Sequence, residues 1–155
     1  MKNLLVLMGI LVLLTLTSCA TITTSSKART PLPEPGTLYA VNIIPPGPEV
    51  PPKIANFSGT WEGEWPLEVR LATVIVIEDI DFQSKKVTAI YSWGNAARIN
   101  ADWAQARGFI KEDSIVLKVG GKVTVTLSPI AGRSDIIDAT YEGWGFSKTQ
   151  LKKKQ

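Results

Sequence analysis

In the stretch NFSGTWEGEWP, residues 56–66, Phe57, Gly59, Trp61, Gly63 and Trp65 fall on one side of an extended chain. Ser58, Thr60, Glu62 and Glu64 fall on the other. A period of two with large apolar groups on one side is the pattern of a half-buried strand. The same period returns downstream. KVTAIYSW places Val87, Ala89, Tyr91 and Trp93 together, SIVLKV sets Ile115, Leu117 and Val119 against Ser114, Val116 and Lys118, and KVTVTLS sets Val123, Val125 and Leu127 against polar neighbours. Turn signals separate these runs: KEDS at 111–114, Gly120–Gly121, and SPIAGRSD at 128–135.

The pattern predicts about eight short strands, near residues 59–64, 69–79, 86–93, 103–110, 114–119, 122–127, 136–141 and 146–151. Residues 95–102 are expected to form a loop or a single helical turn. So many short antiparallel strands in a domain of about 100 residues, 56–155, are best accommodated by a small all-β up-and-down barrel, because closure leaves no sheet edge exposed. The alternative is a β-sandwich, although the Cys–Trp–Cys hallmark of immunoglobulin domains is missing.

Composition changes twice ahead of this domain. Residues 4–14 are an unbroken apolar run of eleven behind Lys2. At about 1.5 Å per residue the run is too short to cross a hydrocarbon core of about 30 Å, and it fits the apolar part of a signal peptide. Residues 19–55 are rich in Thr, Ser and Pro, from Pro31 to Pro52, and read as a semi-rigid, extended tether. The apolar LYAVNII at 38–44 either docks on the domain or belongs to that tether.

Leu16-Thr17-Ser18-Cys19 resembles the lipobox of bacterial lipoproteins. The resemblance implies removal of residues 1–18, acylation of Cys19 and attachment to a membrane in the cell envelope. Cys19 is the sole cysteine, so it has no partner for an internal disulfide. Several acyl chains on one residue hold firmly where a single chain is marginal. Ala20 follows the cysteine in place of Asp, which by the same resemblance favours the outer membrane if the source is Gram-negative.

Gly59-Thr60-Trp61 resembles the G-x-W start of the first strand in lipocalins and other calycins. Together with YSWG at 91–94 and SKTQL at 147–151, it makes the domain similar to a small bacterial lipocalin-like module. In such folds the tryptophan plugs one barrel end under a basic side chain. The resemblance assigns these parts to Trp61 and Lys148, with Lys standing where the family usually has Arg.

The formal net charge is +3, falling to +2 without Lys2, and no basic stripe with interleaved aromatics suggests nucleic acid. Lys152 to Lys154 read as a frayed, solvated end. The chain has no histidine, which excludes a Ser–His–Asp triad and any His-ligated metal. The pairs Glu62/Glu64 and Asp79/Asp81 read as a solvated face and a strand end. No cofactor and no enzymatic activity are expected. Site-like material is confined to the aromatic residues. Trp65, Tyr91, Trp93, Trp103 and Tyr141 are the candidates to line a pocket for a small apolar or amphipathic ligand. The alternative is a filled barrel whose outer surface meets an envelope protein partner.

Overall fold

The structure is a computed structural model that describes residues 41–155. The leader, Cys19 and most of the tether lie outside the described residues. Eight strands follow one another as β1 (Gly59–Pro66), β2 (Arg70–Asp81), β3 (Lys86–Trp93), β4 (Asp102–Lys111), β5 (Ser114–Val119), β6 (Val123–Pro129), β7 (Ile136–Glu142) and β8 (Phe146–Lys153). Each pairs antiparallel with the next, and β8 returns to β1, so the sheet is a closed up-and-down barrel and not a two-sheet sandwich.

Alternation sets the interior. Trp61 and Trp65 of β1, Ile75 and Ile77 of β2, Ile115 and Leu117 of β5, Val125 and Leu127 of β6, Ile137 of β7 and Leu151 of β8 are all fully buried in one core. Strand β2 carries a bulge. Ile77 opposes Ala89 while Asp79 opposes Thr88, so Glu78 is the extra residue. An added residue reverses which side chains face inward. Above the bulge Leu71, Ile75 and Ile77 join the core; below it Ile80 does. The outward Val74, Val76 and Ile90 form a separate apolar cluster on the outer wall.

The two ends of the barrel differ. At one end α1 (Pro52–Ala55) covers the opening, with Pro52 at the start of the helix, where its missing N–H costs nothing. Ile54 and Val50 belong to the barrel core, so that core takes in residues assigned to the tether on composition alone. Upstream, Val41 packs on the outer cluster with Trp103. Asn42 N donates to Glu78 Oε1 at 3.3 Å and Ile44 N to the Glu78 carbonyl at 2.7 Å. The segment 38–44 thus docks, in its described part, as a strap without joining the sheet, and the bulge supplies its acceptors.

Trp61 lies in the core, and the cation over it is Lys153 and not Lys148. Trp61 is fully buried and its indole N–H donates to the Phe57 carbonyl at 2.7 Å. The ammonium over its ring is that of Lys153, 5.1 Å from the ring centroid, which also donates to the Asn56 carbonyl at 2.8 Å. Lys148 lies outside the barrel over Phe146 at 5.7 Å. The register explains the exchange, since Trp61 pairs with Lys153 and the even-numbered residues of β8 face outward. For the same reason 152–154 is not a frayed end. Lys153 closes β8, and Lys154 N donates to the Thr60 carbonyl at 2.8 Å.

Candidate functional site: the open mouth of the barrel

Among the described residues, the other end has no helix over it, although Leu67, Ala96 and Ile99 of its connections pack against the core. It is bounded by the β1–β2, β3–β4, β5–β6 and β7–β8 connections. A cross-barrel row of rings forms its floor. Trp65 and Tyr141 are tilted against each other with centroids 5.5 Å apart, Tyr91 and Trp93 with centroids 5.8 Å apart. The Trp65 indole N–H donates to the Tyr91 hydroxyl at 2.8 Å, joining the two pairs. Rings in these offset arrangements attract beyond their simple burial.

Above this floor lies a cup of about 180 Å³, lined by Leu71, Tyr91, Trp93, Ala104, Val119, Gly120, Lys122, Val123, Tyr141 and Trp144. Its wall is apolar, and Lys122 is the one charged residue on it. The inner side of β4 leaves the room, because Ala104 and Ala106 oppose Tyr91 and Ala89 with short side chains. Below the floor the barrel is filled.

The electrostatics suit neutral contacts. Burial pushes the Tyr91 phenol up to about 12, with hydrogen bonding to the Thr73 and Trp65 side chains pulling the other way. Burial also raises the Tyr141 phenol, against a hydrogen bond with the Trp144 backbone. Both hydroxyls therefore stay protonated at neutral pH. Ser147, 5% exposed, pairs with Tyr141 across β7–β8, and its buried hydroxyl has no hydrogen-bond partner among the described residues. Ser147 is not among the residues that line the cup.

Among the five aromatic candidates, Tyr91, Trp93 and Tyr141 line the cup, and Trp65 lies beneath them as floor. Trp103 does not belong. It packs outside the barrel against Val74, Val76 and Ile90, because the inward positions of β4 are the even-numbered ones paired with Tyr91 and Ala89. Trp144 was missed. It sits in the loop between Gly143 and Gly145, lines the cup and is 68% exposed. Its signal was a tryptophan between two glycines at a hairpin tip, where burial by the strands is impossible. A Cβ at Gly143 would lie 2.7 Å from the Tyr141 hydroxyl, so glycine there lets that phenol reach the rim.

No cluster of three or more His, Cys, Asp or Glu side chains forms among the described residues. Comparison with protein-family models, with curated proteins and with solved structures gave no match.

Proposed function

We propose that the chain is a bacterial envelope lipoprotein, anchored through acylated Cys19, whose lipocalin-like barrel holds the apolar end of a small amphipathic ligand in its mouth. The observation that carries this reading is the cup of about 180 Å³ with apolar walls over a ring floor. An apolar cavity of about 150 Å³ is large enough for benzene, whereas sites for whole drug-sized ligands run from about 300 Å³ upward. The cup therefore suits one ring or a short branched alkyl end, with the remainder of the molecule outside near Lys122.

The filled interior below Trp65 favours a second reading, a module that binds a protein partner at the same mouth by taking in one apolar side chain. Native mass spectrometry of the full chain purified from its host membranes separates the two. An added small-molecule mass that is lost on denaturation, and absent from Ala104→Leu, supports the ligand reading. Ala104→Leu fills the cup from a wall position that makes no polar contact of its own. A bare chain, with a protein retained by the wild type and released by Ala104→Leu, supports the partner reading.

A further inference from the structure

The geometry points to the mouth as a membrane-docking surface: the rim around Trp144 and Phe146 rests in the headgroup–acyl boundary of a bilayer, so the cup opens onto lipid. Trp144 and Phe146 are the two most exposed large apolar side chains among the described residues, at 68% and 64%. They lie two positions apart at one hairpin, Trp144 on the cup and Phe146 on the outer side of β8. The turn is fixed by the Gly143 N–H donating to the Gly145 carbonyl at 3.0 Å. Tryptophan offers an apolar body with one N–H donor, which favours a half-wet, half-apolar boundary over water.

Two lysines flank the rings. Lys122 stands on the cup wall, and the Lys148 ammonium lies over Phe146. Lysine stems lie along apolar surface while their heads reach lipid phosphates. Glu142, paired with Phe146, is an acidic group on this flank. Elsewhere on the rim, Glu64, with Arg70 at 3.4 Å, Glu68 and Asp102 stand against Arg70 and Arg98, so the positive charge is confined to the flank of Trp144 and Phe146.

The length of chain ahead of the strap allows this. Val41 packs on the outer-wall cluster of Val74, Val76 and Ile90, and the chain then passes Glu78 to α1 at the closed end. The 21 residues between Cys19 and Val41 reach about 65 Å if drawn out at about 3.1 Å each. That leaves ample length for the mouth to meet the surface that holds the anchor.

This inference rests on the membrane-anchored reading, and one experiment separates them. The full chain is incorporated into vesicles of phosphatidylethanolamine and phosphatidylglycerol, with or without bromine on the acyl chains. Flotation reports attachment, and bromine quenching of tryptophan emission reports contact. All five tryptophans lie between residues 61 and 144, so leader and tether contribute no signal. The expected result is a floating chain whose emission is quenched, with most of that quenching lost in Trp144→Phe and weakened in Phe146→Asp. A floating chain without quenching overturns the docking and leaves the anchor standing. Quenching that persists when Trp144 and Trp93, the two cup tryptophans, are both replaced by Phe assigns contact to another face and also overturns it. A chain that does not float removes both.

Discussion

Tyr91 joins floor and wall of the mouth through one oxygen. Replacing it by Phe keeps the ring and strands the buried Trp65 N–H, which costs about 1–3 kcal/mol. The pH dependence has a definite sign. The unfolded phenol loses its proton near 10 and the folded one near 12. Stability from this group is therefore full below pH 10 and falls by about 3 kcal/mol as pH rises to 12. Urea unfolding across that range should show a steeper alkaline decline for wild type than for Tyr91→Phe. Equal slopes would mean that Tyr91 titrates in the fold as it does in water. The inward placement of Trp61, Trp65, Tyr91 and Tyr141 was legible because alternation alone fixes it. The cation on Trp61 was not. Choosing Lys153 over Lys148 requires the register between β8 and β1, which joins distant parts of the chain and leaves no local trace.

At the scale of the element, β4 explains both the room in the cup and the misplacement of Trp103. Its inner side carries Ala104, Ala106 and Gly108, and its outer side carries Trp103 and Phe109. Size is a good guide to burial only while the strands opposite leave space. Here Tyr91 and Leu117 reach across from the neighbouring strands, so the small residues face in. The bulge at Glu78 was hidden in the same way, since the run VIVI preceding it is apolar on both sides. Gly108 tests this account. A Cβ there presses into the Val116 carbonyl oxygen and lies 2.7 Å from Leu117 Cδ2. At Gly63 it meets Leu151 Cδ2 at 2.6 Å and the Gln150 carbonyl oxygen at 3.1 Å. Backbone yields less readily than a leucine methyl, so Gly108→Ala should cost about 3 kcal/mol and Gly63→Ala about 1 kcal/mol. The shift in denaturation midpoint measures both, and the reverse order would refute the packing described for β4.

For the whole molecule, the folding unit is larger than its strands. Val50 and Ile54 lie in the barrel core, so a chain begun at residue 56 loses two buried side chains that a chain begun at residue 41 retains. Burial of each contributes about 1.5–3 kcal/mol, and the shorter chain should be less stable by about 3 kcal/mol or more in thermal or urea unfolding. Indistinguishable stabilities would make the α1 cap ornamental. Composition concealed the cap because prolines surround it, and proline excludes long regular structure without excluding a single turn. The bond from Lys153 to Asn56 has one more consequence. Its partners stand 97 positions apart, and the same pairing completes the ring of strands. Until the last strand has been synthesised, β1 keeps a bare edge. Contacts this distant in sequence form slowly, over about milliseconds to seconds. For that interval the nascent chain is an open sheet, with the edge that Lys153 later covers exposed to pairing with other chains.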